Sequence, residues 1–399
     1  MEKLLYYIKG FKSIFGKYKN NIIKISSFLL LIGLIYIFET KNNSSRIFEK
    51  QYAIKYVQQL FENDLNNKYN KSFVNEYPNI SVIIPLYNCE SSIYMSILSV
   101  QKQNYKNYEI ILVNDKSQDN TSNVVNDIMN KDNRIKLINN KKNMGILYSR
   151  SIGVLNSIGK YIYCLDNDDL FYDEHLFENI SKISEEKDYD VIEFKSFYVN
   201  DYNNLLKLSD IKDSPFNDHP NNYSLTQPQL GIFPISKNKK YHSNDYHLWG
   251  KSIKTNIYKK AIQMLTEKYY LFYNCWTEDI SMLFVIFNIA ESFLFIGLYG
   301  IIHLDFKKST TYTLHSSKKL MSELFLLDII IKYIQNIEIN KSYIIQKLNS
   351  ILKSKYIPFW NIEHSKYLKE LINKILKIKS LTEKEYKLLI ECQKRFKLK

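Results

Sequence analysis

Tyr161-Ile162-Tyr163-Cys164-Leu165-Asp166-Asn167-Asp168-Asp169 is the stretch on which the reading of this chain turns. Lys160 to Cys164 is rich in aromatic and β-branched residues, the composition of a short buried strand. Three carboxylates then crowd its carboxyl end. They repel one another, and each loses water as the site closes. A divalent cation resolves that conflict. Hard oxygen ligands suit Mg2+ or Mn2+, which bridge to substrate phosphates and keep some of their waters. In open α/β sheets ligands bind beyond the carboxyl ends of the strands, where this cluster falls. Taken alone, the pattern also fits a polar loop capping the next helix, so what surrounds it decides.

Upstream, Ile80-Ser81-Val82-Ile83-Ile84-Pro85 reads as a buried strand stopped by proline. Ser91 to Gln101 places Ile93, Ile97 and Val100 on one helical face. Tyr108 to Val113 is a second strand, ending at Asn114-Asp115-Lys116-Ser117. Thr121 to Met129 is a helix, Arg134 to Ile138 a third strand, and Ile146 to Asn156 a further helix. Strand and helix alternate at short intervals, which predicts an α/β fold with a mostly parallel sheet and right-handed crossovers.

Downstream, Val191 to Phe194 reads as a strand and the polar, Asn-rich span 200–245 as a loop. Structure resumes from Tyr246 to Gln263. Thr277-Glu278-Asp279 precedes an apolar helix from Ile280 to Ala290, and Leu294–Ile296 and Gly300–His303 read as two short strands. Helical patterns follow near 318–335, 343–353, 365–378 and 382–395, with lysine faces that suit solvated surfaces.

Before the first strand, Lys3, Lys9, Lys12, Lys17, Lys19 and Lys24 stand against the single acid Glu2, and Ile25 to Phe38 carries no charge. With Ile22 and a snorkelling Lys24 this run reaches the lower limit for a spanning helix. The expected order is a basic tail over 1–24, a transmembrane anchor over 25–38, a stem over 39–77, the main domain over 78–313 and a helical region over 314–399. The lysines predict a cytoplasmic N-terminus and a lumenal body, in the Golgi or endoplasmic reticulum.

The chain has 399 residues and a net charge of +14. The excess is spread widely, without an arginine-rich block, a zinc-finger spacing or an RNP-like pattern, which excludes nucleic acid as the expected partner. Cys89, Cys164, Cys275 and Cys392 are far apart and form no CxxC pair, so the spacing gives a structural disulfide no support and leaves the pairing of these cysteines open.

Several motifs in fixed order resemble the family 2 glycosyltransferases of the GT-A fold. Ser81 to Asn88 resembles the opening strand and P-x-Y-N turn; Ser99-Val100-Gln101 with Tyr105 resembles the helix end. Glu109 to Asp119 resembles E-I-I-V-D-D-G-S-x-D, and Asn143-Met144-Gly145 with Arg150 resembles N-x-G followed by arginine. Leu165 to Asp169 resembles L-D-x-D-D, while Trp249-Gly250-Lys251 and Thr277-Glu278-Asp279 resemble W-x-K and E-D. The resemblance runs from about Pro78 to Thr313. It departs at Asn114, where Asp is usual, at Lys116, where Gly is usual, and at Ser151, where Asn often follows the arginine. Lys116 must avoid a positive φ or carry its cost.

The resemblance implies a metal-dependent, inverting transfer of a sugar from a nucleotide-sugar donor, UDP-linked, to a hydroxyl acceptor on a glycan, glycoprotein or glycolipid. A polyprenyl-phosphate sugar synthase and a catalytically silent carbohydrate-binding protein are the alternatives. Pro85, Tyr87, Asn88, Asp115, Arg150 and Asp166 are the expected donor contacts. Asp168, with Asp166, would hold Mn2+ or Mg2+. Asp279, with Glu278 beside it, is the expected base; the rival reading is a helix start, with Thr277 as cap and the two acids favoured by the dipole. Trp249 and Lys251 are candidate acceptor contacts, although core packing explains the tryptophan equally well. His303 is either a metal or phosphate contact or a structural histidine.

Overall fold

A computed structural model describes residues 78–199, 211–213, 223–225, 247–265, 277–304, 316–333, 369–373, 375–376 and 381–397. The amino-terminal half is built from β1 (Ile80–Leu86), α1 (Ile93–Gln101), β2 (Tyr108–Asn114), α2 (Thr121–Met129), β3 (Ile135–Asn139), α3 (Ile146–Leu155) and β4 (Tyr161–Cys164). Every residue of β1, β2 and β4 is buried. That is why these strands read as continuous apolar runs: both faces of the sheet are covered by helices.

The two faces are legible residue by residue. Ile83, Ile111, Val113 and Ile162 point into one core, while Val82, Ile84, Ile110, Leu112 and Tyr163 point into the other. This alternation is the period of two that a strand imposes. Gly153 permits close packing of α3, since a Cβ there would stand 2.5 Å from Ile83 Cγ2.

Further elements are β5 (Leu170–Phe171), α4 (Leu176–Glu186), β6 (Val191–Val199), β7 (Ile211–Asp213), β8 (Tyr223–Leu225), β9 (Lys251–Lys254), α5 (Thr255–Met264), α6 (Glu278–Ile289), β10 (Phe293–Leu304), α7 (Ser316–Tyr333) and α8 (Glu383–Lys397). The strand order is β3-β2-β1-β4-β9-β6-β10-β5, with β7 on β6 and β8 on β10.

The expectation of a mostly parallel sheet is corrected: the sheet is mixed. β3, β2, β1 and β4 run parallel, and so do β6 and β10. β9 is antiparallel to both β4 and β6 and joins the two halves; β5, β7 and β8 also pair antiparallel. The strand–helix alternation that argued for parallel pairing ends at β4. β9 enters after a long excursion, free of the crossover rule. Its register sets Lys251 opposite Glu193, with Nζ 3.5 Å from Oε2 and both side chains buried. A one-residue slip would strand two buried charges.

Three smaller differences follow. Residues 293–304 form one strand rather than two, with register shifts on either side of Tyr299. α4, absent from the sequence reading, turns Leu176, Phe177 and Ile180 inward. The strands β7 and β8 lie within the span expected to be loop.

The membrane anchor is also corrected. No helix among the described residues is long and apolar enough to cross a membrane. Residues 25–38, the tail, the stem and the segment 343–353 lie outside the described residues.

Candidate functional site

The site begins where β1 and β2 end side by side. The loops that follow them are laced together. Asn88 N–H donates to Ser117 Oγ (3.1 Å), and Gln118 N–H donates to Asn88 Oδ1 (2.8 Å). Glu90 N–H donates to Asp119 Oδ2 (3.0 Å), and Asn120 N–H returns to Glu90 Oε2 (2.8 Å). Both loops use left-handed backbone: Asn88 has φ +49° and Lys116 φ +65°. Asparagine tolerates this conformation, but lysine carries its full cost. Tyr87, at the tip, is 48 % exposed.

Asn114 closes its own turn, accepting from Ser117 N–H at 3.0 Å. Its amide nitrogen contacts Ser122 Oγ and Asn139 Oδ1, both at 3.1 Å. The second contact requires a donor, which an aspartate would lack. Asp115 is buried and accepts from Asn140 Nδ2 (2.8 Å), Met144 N–H (2.7 Å) and Gly145 N–H (2.7 Å). It therefore fixes the loop that launches α3, at whose start Gly145 takes φ +85°.

Arg150 on α3 is 1 % exposed. Its Nη2 donates to Asp166 Oδ1 at 2.5 Å, its Nη1 donates to Asp279 Oδ1, and Glu278 Oε1 lies 4.0 Å from Nη1. Burial alone would weaken its charge, but Asp279 and Asp166 keep the guanidinium firmly protonated. Asp279 Oδ2 accepts from Leu248 N–H at 3.1 Å. Thr277 does not cap α6: its hydroxyl donates to the Ser322 carbonyl at 2.8 Å, and the helix has no side-chain cap. Burial, then the charge of Asp279, pushes the Glu278 carboxyl up to about 8.

The Asp166–Asp169 turn is tied to the β1 end by Asn167 Nδ2, which donates to the Pro85 carbonyl at 2.9 Å. Burial, followed by the charges of Asp169 and Asp166, holds the Asp168 carboxyl well above the usual carboxylate range. Asp169 is fully buried and faces His303 Nδ1 at 2.8 and 3.0 Å. Burial would lower the His303 pKa, but Asp169 and its acidic neighbours outweigh it and raise the imidazole to about 9. His303 stacks on Trp249 (5.0 Å between centroids), which stacks on His247 (4.4 Å). Trp249 thus stacks with both imidazoles, whose own centroids lie 6.2 Å apart, at 2 % exposure, and Lys251 Nζ donates to the His247 carbonyl at 2.9 Å.

Among the described residues no group of three or more His, Cys, Asp or Glu side chains is gathered to hold an ion by itself. The donor set still fits a hard divalent cation. The charges of Asp169 and Asp166 around Asp168 are offset only in part by His303, and Mg2+ or Mn2+ needs only one or two carboxylates when phosphates complete its shell.

The structure thus gathers Asp166, Arg150, Glu278 and Asp279 around shared contacts, and Pro85 and Asn167 around another. It places Lys251 in the interior, facing Glu193. Sequence reasoning missed Asp169 as the partner of His303, a pairing across 134 positions with no local signal. It also missed Glu193, whose signal was a lone acid in an apolar strand, and Asn140, which precedes the N-x-G element.

Residues 81–262 match the family described as Glycosyl transferase family 2. Relatives include the glycosyltransferase GlyG of Streptococcus pneumoniae serotype 4, 34% identical over 113 residues, covering 28% of this chain and 37% of that one. Another is the UDP-Glc:alpha-D-GlcNAc-diphosphoundecaprenol beta-1,3-glucosyltransferase WfaP of Escherichia coli, 34% identical over 120 residues, covering 30% and 46%. The chain spans less than half the length of these curated relatives. Among solved structures, S. aureus TarS 1-349 in complex with UDP-GlcNAc aligns with a TM-score of 0.55 and 17% identity, over 74% of this chain and 81% of that one. Over residues 81–262, just under half of the chain, the resemblance is thus to glycosyl transferase family 2, and the mixed α/β architecture is that of the GT-A fold. The relatives named are bacterial, and no described helix spans a membrane; the lumenal Golgi or reticulum location is therefore withdrawn.

Proposed function

We propose that this chain is a metal-dependent, inverting glycosyltransferase that moves a sugar from a UDP-sugar to a hydroxyl acceptor on a glycan, glycoprotein or glycolipid. The observation that carries the reading is the joining of Asp279 to Asp166 through Arg150. It supports a reading in which Asp279, as the base, stands beside the carboxylates that would hold the cation of a nucleotide diphosphate. Tyr87, exposed on the β1 loop that is laced to the β2 loop, offers a ring to the nucleobase, and Asp115 holds the loop that launches α3. Asp168, with Asp166, would hold Mn2+ or Mg2+, which offsets the charge that develops on the departing diphosphate.

Asp279 takes the proton of the acceptor hydroxyl as its oxygen bonds to the anomeric carbon. The bond from that carbon to the diphosphate breaks on the opposite side, which inverts the centre. Both Asp279 oxygens already accept a hydrogen bond, yet each retains a second lone pair. Glu278, raised to about 8, is a poor base at neutral pH, which leaves the role to Asp279. The two acids have no capping threonine to explain them.

The test is a screen of nucleotide-sugars with Mn2+, using the full chain and following release of the nucleotide. Asp279→Asn should lower transfer by on the order of a hundredfold or more with UDP affinity nearly intact. Absence of both UDP binding and turnover across the panel refutes the proposal, as does near-normal transfer by a folded Asp279→Asn variant.

A further inference from the structure

We infer that Arg150 is a positioning residue that fixes the distance between the Asp166 turn and Asp279, and that it makes no contact with the donor's diphosphate. This rests on the function proposed above. A guanidinium has five N–H donors in a planar fork, suited to bridging two carboxylates at once. Here one Nη is spent on Asp166 and the other on Asp279, while Nε is buried without a partner. The side chain is 2 % exposed, so little of it faces a ligand.

The two acids come from distant parts of the fold. Asp166 follows β4, and Asp279 opens α6. Without a cation between them, the two carboxylates would repel one another. The backbone secures the arrangement on both sides. Gly153, almost one turn after Arg150, lets α3 lie against β1 and β2; a Cβ there would meet Ile83 Cγ2 at 2.5 Å and Val113 Cγ2 at 3.2 Å. Leu248 N–H pins the other oxygen of Asp279. The guanidinium therefore enters from behind the site, already oriented, and sets where the base stands relative to the donor.

Lysine retains the charge but cannot span both carboxylates, so Arg150→Lys separates position from charge. With UDP and Mn2+ in calorimetry, the variant should bind within about threefold of the wild type, and its KM for the consumed UDP-sugar should change as little. Its kcat should fall by on the order of a hundredfold, the scale of a misplacement near 1 Å. A tenfold or greater loss of UDP affinity with kcat retained would instead mark a direct phosphate contact and overturn the inference; so would a near-normal kcat. A second measurement needs no turnover. In urea unfolding, Asp166→Asn and Asp279→Asn should together disturb the unfolding equilibrium about fivefold or more beyond the product of their separate effects, because they share one buried partner. In an Arg150→Lys background that excess should shrink. Additive effects in the wild-type background overturn the clamp. If the wild type consumes no nucleotide-sugar while the coupling is present, the proposed function fails and the clamp stands.

Discussion

Asp115→Asn is a near-isosteric change with a cost that can be worked from its contacts. The carboxylate is 4 % exposed and accepts hydrogen bonds from Asn140 Nδ2 and Met144 N–H at one oxygen and from Gly145 N–H at the other. An amide keeps one acceptor and turns the second oxygen into a donor. The better orientation keeps the carbonyl toward Asn140 and Met144, which sets the new NH2 against Gly145 N–H. One bond to a charged acceptor, worth about 1.5–3 kcal/mol net, is then lost, and the remaining two become neutral and weaker. Gly145 starts α3 at φ +85°, so relaxation there moves the helix that carries Arg150.

The sum is about 2–4 kcal/mol. Equilibrium urea unfolding without nucleotide measures it independently of any donor contact. At a slope of roughly 2 kcal/mol per molar urea, the midpoint should fall by about 1–2 M. A loss below about 0.5 kcal/mol with unchanged slope would show that Asp115 does not hold the loop, and would refute the reasoning.

Other perturbations test other parts. The folded-state pKa of Glu278, near 8, lies above its ordinary 4.5, so the folded protein binds the extra proton between those values. Stability should therefore fall as pH rises through that window, and Glu278→Gln should remove the fall, on the order of a few kcal/mol; urea melts at pH 5.5, 7 and 8.5 would reveal a parallel dependence if this is wrong. Gly300→Ala would put a Cβ 2.2 Å from Phe194 Cδ2 and 2.8 Å from Leu176 Cδ2, so overpacking should cost about 1–3 kcal/mol, seen as a lower thermal midpoint. Lys116→Gly relieves the left-handed strain at φ +65° but frees the unfolded chain; the net gain should be about 0–1 kcal/mol in urea unfolding, and a loss would contradict the strain.

The β1-to-β4 half was legible because β1, β2 and β4 are covered on both faces and each helix turns a periodic apolar face inward. Beyond β4 legibility faded for physical reasons. β9 is only four residues long, and its reversed direction is fixed by pairing with β4 and β6 rather than by its own pattern. The break at Tyr299 looked like a gap between two strands, whereas the register shift lies within one. The site divides in the same way. Asp115, Asp166 and Asp168 stand at strand ends and could be picked out by type and place. The contacts that organise them join positions far apart, as with Arg150 to Asp279 across 129 residues. No local pattern encodes those.

At Thr277-Glu278-Asp279 the structure weakens one of the two readings that the sequence leaves open. A threonine followed by two acids at a helix start has a sufficient local explanation: a cap, with negative charge favoured by the helix dipole. That explanation requires the hydroxyl to face the helix's own N–H groups. Instead it donates to the Ser322 carbonyl at 2.8 Å. The acids also face inward, with Asp279 15 % and Glu278 16 % exposed, and one guanidinium serves both of them together with Asp166. Dipole attraction is worth about 0.3–1 kcal/mol for an exposed acid. Burial raises Glu278 from 4.5 to about 8, an opposing free energy of a few kcal/mol at neutral pH by the usual conversion. The helix would be more stable without the buried acid. Its cost and its placement next to the Asp166 turn support the site proposed above.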